Sequence, residues 1–166
     1  MEIYRSSTFM VSAPAFLKVT EMVMLVMAIV MFVLSNKCSS NGSYVTLYVL
    51  PCAVCASVTL VTYVTALLML TGGRNPLVTS TWVKGEVYFN VAGMVVMVVG
   101  SIITLTNKAC SDTPLTITSI ALGFISAVLF VCSAAITYLK MVHYQEKMKA
   151  QNVQLQKNRI TLSVIT

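Results

Sequence analysis

The chain has 166 residues, of which 57% are Ala, Val, Ile, Leu, Met, Phe, Trp, Tyr or Cys and only 10% are Asp, Glu, Lys or Arg; its mean hydropathy is +0.85 and its formal net charge +6. So few charges exclude an ordinary water-soluble domain, because a chain this short has too much surface to cover with apolar side chains. Four long apolar stretches take up 91 residues and leave 75 divided among ends and connections, so no piece is large enough for a separate receptor, catalytic or adhesion domain.

The stretches run over residues 16–35, 44–70, 87–105 and 115–139, and each has the ~20 apolar residues that cross a hydrocarbon core. They predict an all-α protein, a transmembrane antiparallel four-helix bundle, since short connections force neighbouring helices to alternate in direction. Residues 1–15 precede it and a basic tail, 140–166, follows. The first stretch is too long, and too poorly followed by small residues, for a cleaved signal peptide. With both ends on one side, that side carries nine cations: Arg5, Lys18, Arg74, Lys84, Lys140, Lys147, Lys149, Lys157 and Arg159. The other side has Lys37 and Lys108, and this asymmetry predicts cytosolic termini. The positive charge is thus an orientation signal and a basic tail, not a nucleic-acid site.

In chain order, the first span is rich in bulky Met22, Met24, Met27 and Met31 and has almost no small residues. Its only charges, Lys18 and Glu21, stand one turn apart near the cytosolic surface. The first outer loop holds Cys38 and the sequon Asn41-Gly42-Ser43, too close to the membrane for efficient glycosylation. In the second span, Pro51 should kink the helix near its outer end. Cys52, Cys55, Thr59, Thr62 and Ala66 form a stripe at three- and four-residue spacing, the grammar of close membrane-helix packing. Cys52 and Cys55 read C-x-x-C, but with no second pair and no nearby His they are packing residues rather than a metal or redox motif. Trp82, in the loop before the third span, is an interfacial anchor. Glu86 and Asn90 open the third helix, where a carboxylate offsets the positive end of the macrodipole. Gly93 and Gly100 follow on the same face. The second outer loop holds Cys110. In the fourth span Ser119, Gly123 and Ala127 repeat every four residues, and Cys132 is expected to be buried.

Lys18, Glu21, Trp82, Glu86 and Asn90 therefore form a polar cluster on the cytosolic side, read as structural glue because buried polar groups need partners. Catalysis finds no support: His143 is the one histidine, no base stands beside a nucleophile within the spans, and the five acids are scattered. No cofactor and no metal site is expected. No polar or charged path is evident across the bundle, which disfavours a channel.

Pro14-Ala15-Phe16-Leu17-Lys18-Val19-Thr20-Glu21 ahead of a long apolar helix resembles the start of the MARVEL domain, in which Leu-Lys-x-x-Glu/Gln opens the first transmembrane helix. Trp82, Glu86 and Asn90 resemble the family's Trp, acidic and polar residues at the same spacing in the third. The resemblance covers roughly residues 17–139 and is nearest to small members of the myelin-and-lymphocyte, plasmolipin and chemokine-like-factor-like type. It implies a non-catalytic protein of membrane apposition, vesicle trafficking, cholesterol-rich domains or cell junctions, in the plasma membrane or endomembrane vesicles. Claudins and tetraspanins, with their long outer loops, fit worse. The rival expectation is an auxiliary subunit of a channel or receptor, packed through the same small-residue faces.

In the tail, Lys140, Lys147 and Lys149 are expected to contact anionic inner-leaflet lipid. Met141, Tyr144, Met148 and Leu155 recur at helical spacing, so the tail is either an amphipathic extension of the fourth helix or a solvated segment. Partners are thus membrane lipids, other membrane proteins or a second copy of the chain.

Cys38 and Cys110 are the only cysteines outside the spans, and both face an oxidising compartment, so one bond between the two outer loops is the economical expectation; free thiols or a bond between chains are the alternatives. Alkylation of intact cells should label neither residue before reduction and both afterwards; labelling of both without reductant would reject the bond.

Overall fold

The computed structural model describes residues 13–35, 42–72, 80–106 and 113–165, and these are almost wholly helical. Helix α1 spans Ala13–Leu34, α2 Leu50–Thr71, α3 Ser80–Thr106 and α4 Pro114–Ile165. Ahead of α2 lie a short helical turn, Gly42–Tyr44, and a π-helical stretch, Val45–Val49. Pro51 explains the stretch. It has no N–H to return to the carbonyl of Leu47, and its ring crowds that carbonyl, so the turn before it widens.

Four helices are long and apolar enough to cross a bilayer, and the chain is a multi-pass membrane protein. The 22 residues of α1 rise about 33 Å, enough for the hydrocarbon core. The 52 residues of α4 rise about 78 Å, so that helix continues well past the apolar layer as one piece with the tail. The third helix starts at Ser80, earlier than the apolar stretch suggests, and Trp82 lies within it rather than in a preceding loop. Polar residues at a helix end cost little outside the hydrocarbon, so apolar runs mark the span and understate the helix.

Contacts between helix ends set the direction of each helix. Ser35, at the end of α1, hydrogen-bonds Thr113 (2.8 Å) and Thr116 (2.6 Å) at the start of α4. Lys18, at the start of α1, meets Glu86 and Asn90 near the start of α3. Phe32 near the end of α1 stacks on Tyr48 just ahead of α2, with centroids 5.0 Å apart. Neighbours are therefore antiparallel and the order around the bundle is α1, α2, α3, α4. The helix α4 packs against both α1 and α3, whereas α2 is the least enclosed. The end where α1 and α3 begin is called proximal below, and the opposite end distal.

The core alternates apolar blocks with polar contacts. Leu25, Phe32, Tyr48, Cys52, Cys55, Met97, Ala127 and Phe130 form its apolar part. Of the expected packing residues, Cys52, Cys55, Thr59, Gly93, Gly100, Ser119, Gly123 and Ala127 are buried, and Thr62 is half-buried. Cys132 is exposed on the outer face of α4, contrary to expectation: it falls one residue short of Ser133, which takes the inward position. The first helix does use small residues, since Ala15 and Ala28 are buried and the carbonyl of Ala28 accepts a 2.7 Å hydrogen bond from Ser119 Oγ. Two glycines are needed for space. At Gly93 a Cβ would stand 3.3 Å from the Phe130 ring, which packs edge-on against Phe89. At Gly123 it would collide with Ser101 Oγ and lie 2.9 Å from the Tyr48 hydroxyl. Cys38, Asn41 and Cys110 lie outside the described residues.

Gly123→Ala should therefore lower stability by about 1–3 kcal/mol, because Ser101 and Tyr48 must move. Gly85→Ala, where a Cβ meets open space, should leave stability unchanged or raise it by up to about 1 kcal/mol. Unfolding of the two variants in the same detergent checks the pair; equal losses would contradict the packing at Gly123.

Candidate functional site

The proximal half of the bundle holds a buried polar cluster. Spacing of three residues puts Lys18 and Glu21 on one face of α1, and spacing of four does the same for Glu86 and Asn90 on α3. Those faces point at each other. Lys18 Nζ donates to Asn90 Oδ1 at 3.0 Å and lies 3.3 Å from Glu86 Oε1 and 3.7 Å from Glu21 Oε2. Its ammonium also stands 6.0 Å from the centroid of the Phe89 ring, within range of a cation–π attraction. Asn90 completes a bridge between helices: its Nδ2 donates to Ser133 Oγ on α4 at 3.4 Å.

The two carboxylates differ. The side chain of Glu86 keeps 15% of its surface exposed, while that of Glu21 is at 0%. Neither oxygen of Glu21 has a hydrogen-bond partner. Ser133 of α4 and Cys55 of α2 lie near this carboxyl, though Ser133 is not in hydrogen-bonding geometry. All four helices thus contribute a side chain around Glu21. Because α3 begins at Ser80, Glu86 sits well inside the helix, where the macrodipole has faded. Its charge is balanced by Lys18 and not, as expected, by a helix end. Trp82 lies one turn before Glu86 and is half-buried; it is not among the residues that bind Lys18.

A second polar group occupies the distal half. Tyr48 Oη donates to the Ser119 carbonyl at 2.6 Å, and Ser119 Oγ lies 3.2 Å from that hydroxyl. Ser101 Oγ, buried beside Gly123, has no hydrogen-bond partner; nor has Thr59 Oγ1, which lies one turn past Cys55 on α2 and so on the proximal side. Ser35, Thr113 and Thr116 close the distal end. Sequence reasoning named Ser119 as a packing residue but missed the rest of this group and Ser133. Its available signal was the inward line on α4, Thr116, Ser119, Gly123, Ser126, Ser133 and Thr137, at helical spacing with Phe130 interposed. The bundle interior is accordingly more polar than the sequence suggested, with apolar Leu25, Met97, Ala127 and Phe130 separating the two polar groups.

In the extension of α4, Lys140 is half-buried and Lys147 and Lys149 are exposed. Among the described residues no group of three or more His, Cys, Asp or Glu could hold a metal ion. The proximal cluster is a group of buried polar and charged side chains that ties α1, α3 and α4 together. Comparison with family models, with curated proteins and with solved structures gives no match for this chain.

Lys18 is the member on which the others depend. Lys18→Met should cost about 3–5 kcal/mol, because it leaves the Glu86 carboxylate and the Asn90 amide oxygen without their partner inside the bundle. Lys18→Met/Glu86→Gln should recover part of that loss. Equal unfolding free energies for the single variant and the parent would show that the cluster contributes nothing.

Proposed function

We propose that this multi-pass protein works laterally in the membrane, organising or apposing bilayers without catalysis, as the resemblance to small MARVEL proteins implies. One observation carries the reading. Lys18, Glu21 and Glu86 turn inward onto one another, while the outward faces present a largely apolar surface that includes Val23, Val30, Val61, Leu68, Val95 and Val128. A bundle satisfied within itself and apolar outside meets its surroundings through lipid matching and helix contact. The residues that carry the resemblance, Lys18, Glu21, Glu86 and Asn90, are also those that meet in the proximal cluster.

In this reading the proximal end is cytosolic, by the excess of Lys and Arg there. The protein sorts with particular lipids, cholesterol-rich domains included, and with other membrane proteins or copies of itself, in vesicles, the plasma membrane or cell junctions. The basic extension of α4 places Lys140 at the boundary of the anionic leaflet, with Lys147 and Lys149 further along the helix. The exposure of α2, whose outward face includes Leu60, Val61, Val64 and Leu68, favours a second reading, an auxiliary subunit that lays this helix against a channel or receptor.

Crosslinking in native membranes tests the two. Self-association in lipid-ordered fractions, with many substoichiometric neighbours, is the expected result. A single channel or receptor recovered in fixed stoichiometry through α2 would replace the organiser by the auxiliary subunit.

A further inference from the structure

The proximal cluster contains two carboxyl groups, Glu21 and Glu86, and one ammonium, Lys18. With all three ionised it would hold one negative charge in excess inside a low-dielectric bundle, where an uncompensated charge is strongly disfavoured. Glu86 is partly exposed and pairs with Lys18 Nζ at 3.3 Å. Glu21 is fully enclosed. A buried carboxylate anion normally accepts several hydrogen bonds, yet neither oxygen of Glu21 accepts one, and its approach to Lys18, at 3.7 Å, is longer than a hydrogen bond. Around it stand Lys18 on its own helix, Cys55 on α2, Glu86 on α3 and Ser133 on α4. Of these Lys18 attracts an anion, but it is already engaged by Asn90 and Glu86. The Ser133 hydroxyl would favour one too, but it accepts from Asn90 and stands outside hydrogen-bonding geometry to Glu21. Glu86 repels one. A metal ion would be repelled by the same ammonium and would lack ligands.

We propose that the cluster is a proton-binding site, in which Glu21 holds one proton and is built into the bundle as a neutral carboxylic acid. Binding takes one proton from water and brings the cluster to Lys18 positive, Glu86 negative and Glu21 neutral. Release returns the proton to water by way of the partly exposed Glu86 edge and restores the excess charge. The deprotonated form then needs water or a cation beside Glu21, which loosens the contact of α1 with α3 and α4. The proximal half of the bundle thereby responds to proton concentration. This property is independent of the organiser reading.

Infrared difference spectra of the full chain in liposomes, titrated from acid to alkaline pH, test the site through the carbonyl stretch of a protonated carboxyl. The chain's other acids, Glu2, Asp112 and Glu146, lie outside the four apolar stretches. The native protein should show the band at neutral pH and lose it on further alkalinisation. Glu21→Gln, which replaces the neutral acid by a neutral amide, should lack the band and keep native thermal stability at neutral pH. Glu86→Gln restores charge balance without the proton, so its band should retreat to acid pH; this partly exposed position serves as the second variant if Glu21→Gln does not fold. No band in the native protein at neutral pH overturns the proposal, as does a band that persists in Glu21→Gln or stays unchanged in Glu86→Gln.

Discussion

An ammonium ion among membrane helices must find acceptors inside the protein, because the hydrocarbon supplies none and the desolvated charge is otherwise prohibitive. Lys18 meets that demand with groups from a distant part of the chain: the amide of Asn90 at 3.0 Å and the carboxyl of Glu86 at 3.3 Å. The demand fixes α1 against α3 in depth and in rotation, since sliding or turning either helix would leave the charge unpaired. Asn90 passes the constraint to α4 through Ser133. Directional bonds of this kind give a bundle in lipid a register that uniform apolar faces do not.

The distal half is held differently. There Tyr48 reaches from the π-helical stretch to the backbone of α4, and Gly123 leaves room for its hydroxyl and for Ser101. Pro51 contributes indirectly, by widening the turn that carries Tyr48. Hydroxyls here bond mostly to carbonyls of their own or a neighbouring helix, which satisfies them without placing charge in the membrane. The two ends divide the work: ion pairing sets the proximal register and close approach the distal one. Between them Leu25, Met97, Ala127 and Phe130 keep the polar groups apart.

This interior is also why the exterior can be so plain. With Lys18, Glu21, Glu86 and Asn90 turned inward, the outward surface is mainly apolar, and outward hydroxyls such as Thr46 and Ser57 bond back to carbonyls one turn earlier. The least enclosed helix, α2, presents the largest share of that surface.

Composition and periodicity alone determined that the chain is an all-α membrane bundle, because four charge-poor stretches of spanning length leave lipid as the only solvent that fits them. They also singled out Lys18, Glu21, Glu86 and Asn90, since ionisable residues stand out against an apolar background. For α4 the helical spacing of Met141, Tyr144, Met148 and Leu155 offered an extension but did not choose it over a solvated tail. Where α3 begins was not legible, because a helix continues past the hydrocarbon on polar residues that carry no hydropathy signal. Nor were the inward Ser133, Tyr48 and Ser101, whose types are common on any membrane helix and become a network only when four helices set their relative rotation. The sharpest decision left to tertiary structure lay within the cluster itself. Glu21 and Glu86 look alike in sequence, and only the packing of four helices makes one a partly exposed partner of Lys18 and encloses the other with no hydrogen bond.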